Sequence, residues 1–294
     1  NRDHHQGTAR WSLISTSATL ERPWRIGNQS GSYMGSIRRT YLELVKAAFD
    51  ELPDYYFYDG HVKLNWDIST NDKISTSAYF GRDKLKFDVG QLLKLDWGNR
   101  TFTTQWVHLF NPRLFSQFII AGSDFTSYFD QVSSEGESVF KRDNGIQDLS
   151  SKAMLTWRPN NQHEADFGYE LKFNKTWLKS SSSYQFDENS MPNVVVPSLT
   201  SSAYAQDTWD LDALWTLQPG LRLSWYQSLD INLDQIPDAS YVNLDPRLSI
   251  RRKLNLAESV YASYGFYHQY LTLLAADINT PFDVWFPLDG SLKP

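Results

Sequence analysis

The chain contains no cysteine, no long hydrophobic run and almost no helical pattern in its 294 residues. Its longest apolar patches, such as 118–121, fall far short of the roughly 18 apolar residues that a membrane-spanning helix needs. This excludes a helical membrane protein. The lack of cysteine suits a chain that crosses an oxidising compartment, although many cytosolic proteins share it. Residues 1–7 lack the apolar core of a signal peptide, so we expect either a mature chain or an internal piece of a longer one.

Signals for catalysis, metal binding and nucleic-acid binding are equally scarce. The formal net charge of −6 argues against a broad nucleic-acid footprint. The six histidines are scattered, and no two on one strand share metal-ligand spacing with a carboxylate. No glycine-rich phosphate loop and no nucleophile elbow occur. We therefore predict neither an enzyme nor a metal or cofactor site, and no nucleic-acid partner.

Alternation of apolar and polar residues, by contrast, runs through the whole chain. The clearest case places five apolar residues on one face: Ala165, Phe167, Tyr169, Leu171 and Phe173. Because successive side chains of a strand point to opposite sides, such a segment has one apolar and one polar surface. The pattern predicts about 12 strands, roughly at 8–22, 31–42, 55–68, 73–83, 99–110, 113–129, 146–158, 162–175, 201–217, 220–230, 241–252 and 258–270.

The connections between these strands alternate in length. Turn-forming residues predict short turns at 70–72, 111–113, 159–161, 218–220 and 253–257. Long polar connections are predicted at 83–96, 131–145, 176–200 and 230–240. Tight turns on one side and large loops on the other are typical of bacterial outer-membrane barrels. The fold class predicted is therefore all-β, an antiparallel transmembrane β-barrel.

Aromatic residues make up 15% of the chain, and many fall near the ends of predicted strands. Two interpretations are open. The rings form girdles at the two membrane–water interfaces, where an amphipathic ring has one wet edge, or they fill the core of a soluble protein. The residues concerned are Trp11, Trp66, Trp157, Trp215, Tyr264 and Tyr270.

Short motifs along the chain are similar to those of one family. The segment GSIRRTY at 35–41 resembles the GRRTY segment that ends an early barrel strand in TonB-dependent receptors, notably those of the Bacteroidetes type. Each motif alone is weak, but their order across nearly the whole chain is shared with that family. The other motifs lie at 55–59, 79–83, 97–99, 204–209, 220–222, 245–248, 264–270 and 285–294.

The resemblance implies that residues 1–294 form part of a 22-stranded barrel in the bacterial outer membrane, without plug domain, TonB box or C-terminal strand. It further implies active import of a scarce ligand, such as a siderophore, a cofactor or a glycan- or peptide-like molecule. The expected partners are membrane lipid, the plug domain, the TonB complex and a small or oligomeric ligand, with a surface lipoprotein as an optional further partner. Two other hypotheses remain open: a passive porin, and a soluble β-rich carbohydrate-binding or carbohydrate-active protein.

Two sets of candidate site residues follow. Aromatic residues expected on external loops are candidates for ligand stacking, with packing of the loops on one another as the alternative: Trp97, Phe140, Trp177, Tyr184 and Trp285. Arginines on polar strand faces would point into the lumen and pair with plug carboxylates, with solvated lumen charges as the alternative: Arg158, Arg222 and Arg251. Asp207 falls on an apolar face, and the sequence offers no account of it.

Overall fold

The computed structural model describes residues 4–46, 54–183, 193–229, 239–274, 284–288 and 294. Thirteen antiparallel strands form one sheet in which every strand pairs with its neighbours in the sequence. A separate two-stranded sheet follows. One short helix, α1 (Leu42–Val45), follows β3, and no helix in the described ranges is long and apolar enough to cross a membrane.

The strands of the large sheet are β1 (Gln6–Trp11), β2 (Ser15–Ile26), β3 (Gln29–Thr40), β4 (Asp54–Asp67), β5 (Asp72–Asp88), β6 (Leu92–Asn111), β7 (Leu114–Val132), β8 (Ser138–Trp157), β9 (His163–Ser182), β10 (Asn193–Asp210), β11 (Trp215–Ser228), β12 (Ser240–Lys253) and β13 (Ser259–Gly265). The small sheet consists of β14 (Leu271–Leu274) and β15 (Val284–Pro287). The predicted all-antiparallel architecture is confirmed. The extra strand arises because the segment predicted at 8–22 reverses at 12–14, where Ser12 Oγ accepts a hydrogen bond from the Ser15 N–H at 3.0 Å.

One predicted turn is wrong. Residues 218–220 lie inside β11, and the chain reverses at 211–214 instead. There Asp212 Oδ1 accepts hydrogen bonds from the backbone N–H groups of Leu214 and Trp215, at 2.7 and 2.8 Å. Pro219 has no N–H to donate, and the pairing of β10 with β11 is interrupted beside it. The Pro-Gly pair therefore marks a local break in a ladder rather than a turn.

The predicted long connections at 83–96 and 131–145 are also wrong for most of their length. Strand β5 continues to Asp88 and β6 begins at Leu92, while β7 ends at Val132 and β8 begins at Ser138. Gly90 and Gly136 occupy the tips with φ of +88° and +86°, which favours glycine. Strand β9 likewise runs to Ser182 and β10 starts at Asn193, within the connection predicted at 176–200. Most of the connection predicted at 230–240 lies outside the described residues.

The two ends of the sheet nevertheless differ as predicted. At one end, called here the short-turn end, all six connections span two to five residues: 27–28, 68–71, 112–113, 158–162, 211–214 and 254–258. The opposite end, called the far end, includes the connections 41–53, 183–192 and 229–239. The asymmetry typical of outer-membrane barrels is therefore present, although the strands at the far end are longer than expected.

The sheet is a single layer, and its apolar face is uncovered. We call this the outer face; it carries Tyr169, Leu223 and Leu244, which are paired in register through Ala203 and are 48%, 50% and 54% exposed. Apolar surface of this extent is rarely left open by a soluble monomer. These side chains do not meet one another in a sealed interior, because the opposite, inner face carries polar residues such as Lys152, Glu170 and Ser202.

The large sheet is an open arc. Strands β1 and β13 are its two edges, and within the described ranges they do not pair with each other. Unpaired backbone groups are expensive in lipid, so a membrane-spanning sheet must be closed on itself. Both edges therefore require further strands to complete a barrel.

The polarity of the two faces is exchanged toward the far end. We call the apolar part of the outer face the apolar belt. It ends at the cross-strand row that contains Phe102, Leu149 and Phe173. Beyond that row, in a region called here the far-end extension (54–59, 81–100, 124–147 and 175–182), the outer face is charged. Its ion pairs join Arg82 and Lys84 to Asp96, Lys86 to Asp54, and Lys94 to Asp130. The inner face of the same region is apolar, and there Leu95 and Phe129 are 6% and 3% exposed.

The hairpin of β14 and β15 lies against the inner face. The Tyr226 hydroxyl donates a hydrogen bond to the carbonyl of Leu288 at 2.8 Å, and its ring stacks on Tyr270 at 5.0 Å between centroids. Tyr226 is only 1% exposed as a result. Strand β15 also contacts β8 and β9. The hairpin thus reaches from the end of the arc across to its middle.

Candidate functional site

The inner face of the far-end extension forms an aromatic wall. Trp97 on β6 lies there, opposite Asp83 on β5 and Ser127 on β7. Phe57 on β4 occupies the same row next to Asp83. The row continues to Asn144, whose Oδ1 accepts a buried hydrogen bond from Ser127 Oγ at 2.7 Å. Aromatic rings therefore alternate along this wall with short polar side chains that are fixed in place.

Charged groups border the wall on β3 to β5. The Arg38 guanidinium lies 4.7 Å from the centre of the Phe57 ring and forms an ion pair with Asp59 at 2.7 Å. The Tyr55 hydroxyl donates a hydrogen bond to Asp83 Oδ1 at 2.7 Å. Burial, reinforced by this bond, raises the pKa of Tyr55 to about 12. The phenol therefore stays protonated, and remains a donor, throughout the physiological pH range.

Phe140 and Trp285 belong to the same side of the sheet. The Phe140 ring packs 6.1 Å from the buried Phe129 and lies under the Arg142 guanidinium at 5.4 Å. Trp285 is half-buried on β15, the strand that lies against β8 and β9. The structure thus brings three of the five predicted aromatic residues to the inner side, on strands and a hairpin rather than on loops. Whether they contact a ligand stays a prediction.

The other two predicted aromatic residues differ from this group. Trp177 lies on the outer face of β9, where it covers Gly145 and donates its indole N–H to Asp143 Oδ1 at 3.0 Å. It is therefore separated from Trp97 and Phe140 by the sheet itself. Trp177 follows Phe173 by four residues, so the two share a face of the strand despite the intervening Lys175, and this spacing is the signal that would have shown its direction. Tyr184 lies outside the described residues.

The three predicted lumen arginines all lie on the inner face and all have partners within this sheet. Arg222 pairs with Glu170 at 2.8 Å, and Arg158 pairs with Glu164 at 2.5 Å. Arg251 donates to Thr216 Oγ1 at 3.3 Å. The Thr216 hydroxyl in turn donates to Asp210 Oδ1 at 2.7 Å. That this face borders the lumen at these arginines, and that they pair with a plug, stay predictions.

The unexplained Asp207 has a partner that the sequence did not reveal. Its Oδ2 lies 2.6 Å from Nδ1 of His163, whose ring stacks on Trp209 at 5.2 Å. The same three residue types meet a second time on the outer face, where Asp72 Oδ1 lies 2.7 Å from His108 Nδ1 and accepts the Trp106 indole N–H at 3.0 Å. Both clusters sit near the short-turn end. Polar groups at these two places are thus paired beside aromatic rings.

No group of three or more metal-ligating side chains occurs in the described part of the chain. The polar clusters on both faces are ion pairs and hydrogen bonds between neighbouring strands. What the inner wall offers chemically is a surface for stacking and hydrogen bonding.

A family model described as "TonB dependent receptor-like, beta-barrel" matches residues 24–275. The chain belongs to this family. Its sheet is accordingly part of the wall of a TonB-dependent receptor barrel in the outer membrane, and the family consists of transport receptors rather than enzymes. The resemblance noted from the motifs is confirmed at the level of the family. The Bacteroidetes type stays a prediction.

Solved structures with the same fold are outer-membrane receptors of low sequence identity. The alcaligin receptor FauA from Bordetella pertussis is 13% identical with a TM-score of 0.68, and the match covers 92% of this chain and 44% of the receptor. The ferripyoverdine receptor of Pseudomonas aeruginosa is 13% identical with a TM-score of 0.68, and the match covers 93% of this chain and 42% of the receptor. The ferric preacinetobactin receptor BauA from Acinetobacter baumannii is 13% identical with a TM-score of 0.62, and the match covers 96% of this chain and 49% of the receptor. A search of curated protein sequences found no match.

The chain spans less than half the length of these three receptors. The open arc with two unpaired edges agrees with that proportion. The identity values show a common fold and do not carry over any ligand.

Proposed function

We propose that this chain forms part of the barrel of a receptor that imports a scarce ligand across the outer membrane with energy from TonB. The observation that carries the proposal is the exchange of polarity in the far-end extension, which gives a barrel of this family an aromatic inner wall beyond its apolar belt. A surface of rings and fixed hydrogen-bonding groups suits a ligand with flat or cyclic parts. Siderophores, ring-bearing cofactors and glycans meet that description.

The related structures support an iron-bearing chelate as the first ligand to try. Their names describe receptors for ferripyoverdine, alcaligin and ferric preacinetobactin, although one further structure with a TM-score of 0.62 is a copper transporter. Trp97 and Phe140 would stack on the ligand, while Tyr55 and Arg38 would supply hydrogen bonds and charge. The plug and the TonB complex are proposed partners of the full-length receptor.

The test measures uptake by cells that carry the full-length receptor, with and without a functional TonB. The probes are radiolabelled ferric complexes of a catecholate and a hydroxamate siderophore, cyanocobalamin and a linear oligosaccharide. We expect uptake of one probe class, abolished without TonB. Uptake of all four probes that persists without TonB would contradict the proposal and indicate a passive porin.

A pair of matched variants then tests the wall itself. Trp97→Ala should weaken uptake about two- to tenfold, because a stacked aromatic pair contributes roughly 0.5–1.5 kcal/mol. Trp177→Ala removes a ring of the same size from the opposite face and should leave uptake unchanged. Equal losses in both variants would show that the inner wall has no special part in binding.

A further inference from the structure

The outer face holds one exposed arginine at the row where the apolar belt ends. Arg100 on β6 lies one step beyond Phe102 along the strand and is the first polar residue of its outer face toward the far end. Within the part of the chain that the structure describes, it forms no ion pair and no side-chain hydrogen bond. Its neighbours farther out are engaged in pairs, since Arg82 and Lys84 both hold Asp96.

Two hollows flank this arginine on the surface. The first, of about 360 Å³, lies toward the apolar belt and is lined by Phe102, Gly122 and Leu149 together with Arg100. The second, of about 250 Å³, lies toward the far end and is lined by Tyr58, Arg82 and Thr126, again with Arg100. An apolar cavity and a polar cavity thus share one cation.

Two glycines allow neighbouring groups to pack close to the backbone here. Gly122 and Gly98 both stand on the outer face. A Cβ atom on Gly122 would lie 2.3 Å from the Phe102 ring, and one on Gly98 would lie 2.7 Å from the carbonyl oxygen of Gly81. The Phe102 ring therefore occupies the space at Gly122 and lines the apolar hollow.

We propose that this place binds an anionic, phosphate-bearing lipid of the external leaflet. Its phosphate would pair with Arg100 in the polar hollow, and one acyl chain would lie over Phe102 and Leu149. An unpaired cation at the depth where the apolar belt ends is where a lipid headgroup meets the protein. The site faces away from the lumen, so it is independent of the ligand that the receptor imports.

One acidic side chain, Asp124, adjoins the site and provides a second position for a test. Asp124 is the cross-strand partner of Arg100 and lines both hollows, yet no ion pair joins the two. One of its carboxylate oxygens is buried without a hydrogen-bond partner. Its charge opposes a nearby phosphate, so neutralising it should favour the lipid.

The experiment is native mass spectrometry of the detergent-solubilised full-length receptor incubated with bis-phosphorylated lipid A or with phosphatidylcholine. We expect Arg100→Ala to reduce bound lipid A about fivefold, the effect of one cation at a membrane surface. Asp124→Asn should raise the bound fraction. Lys63→Ala, which removes an exposed cation of the inner face, should change nothing.

Three results would overturn the proposal. The first is lipid A binding that is unaffected by Arg100→Ala. The second is phosphatidylcholine binding that responds to Arg100→Ala and Asp124→Asn in the same way as lipid A. The third is displacement of lipid A by millimolar inorganic phosphate, which would make the site one for a free anion. Opposite effects of the two variants also separate binding from a general loss of structure, which would lower the bound fraction in both.

Discussion

The apolar belt and the far-end extension are built from the same strands but face different surroundings on each side. In the belt, Leu223 and Leu244 point outward and Glu170 points inward. In the extension, Phe129 and Leu95 are buried on the inner side, and Arg82, Asp96 and Lys94 stand outside. Strand pairing continues without interruption between the two. One continuous sheet can therefore face different surroundings in two regions. The alternation of apolar and polar residues is kept along each strand, and the apolar residues change from the outer to the inner face.

The largest effect is expected for Phe129→Ala in the extension. Truncating a buried Phe side chain removes about 3–5 kcal/mol of stability, and Phe129 is 3% exposed against Phe140. The free energy of unfolding of the full-length receptor, measured by urea titration in lipid vesicles, should fall by that amount. The matched change Phe102→Ala, at a ring that is 44% exposed, should have a smaller effect. Equal effects would mean that the inner side of the extension is not a core.

Leu223→Arg should come next, in the belt. An arginine on the lipid face of a barrel is destabilising by about 2–4 kcal/mol near the middle of the membrane. Thr126→Arg places the same side chain on the same face in the extension, where the surface is already charged, and should cost about 0–1 kcal/mol. The same urea titration in vesicles measures both. If the two arginines prove equally harmful, the exchange of polarity does not mark the membrane boundary.

A pair of glycine substitutions tests how closely the extension is packed. A Cβ on Gly145 would lie 2.4 Å from the carbonyl oxygen of Phe125 and 2.3 Å from the Trp177 ring. Overpacking of this kind removes about 1–3 kcal/mol. Gly35, on the outer face of the belt, has no atom within 4 Å of its Cβ position, so Gly35→Ala should be nearly neutral. A thermal melt in detergent that shows no difference between the two alanines would contradict the geometry.

The smallest effect concerns the lumen charges of the belt. Arg222→Glu breaks the ion pair with Glu170 and places two carboxylates together. We expect a modest rise in permeability to a large antibiotic, because the inner surface that would hold the plug is altered. The exchange Arg222→Glu with Glu170→Arg restores the pair in reverse. Recovery in the exchange variant would mean that the pair itself is what matters, and unchanged permeability in the single variant would count against a plug contact.

Much of the belt could be predicted from the sequence, because its physics is local. Alternation gave the strands, and Asn, Asp and Pro in short connections gave most of the turns at the short-turn end. The turn at 211–214 was misplaced because the Pro-Gly pair at 219–220 satisfies turn chemistry equally well. Only the register with β10 shows that Pro219 stands in a strand.

The extension was harder to predict because its signal is non-local. Lys84 and Asp96 look like loop residues until the pairing of β5 with β6 joins them as an ion pair. Lys86 and Lys94 likewise find their partners, Asp54 and Asp130, on the neighbouring strands β4 and β7. The same limit applies to Asp207, whose partner His163 lies 44 residues away in the chain. The direction of Trp177 was within reach of alternation. The long connection predicted at 176–200 hides this signal, and Trp177 therefore counts among the predicted ligand residues.

The exchange of polarity also bears on how the barrel assembles. A strand that pairs one residue out of step turns every side chain to the opposite side. For β7, that error would expose Phe129 to water at one end and, at the other, withdraw Phe118 and Ile120 from the hydrocarbon. The same misalignment would then be unfavourable both in the belt and in the extension. The register of a long strand that crosses both regions is thus specified independently in each of them during assembly.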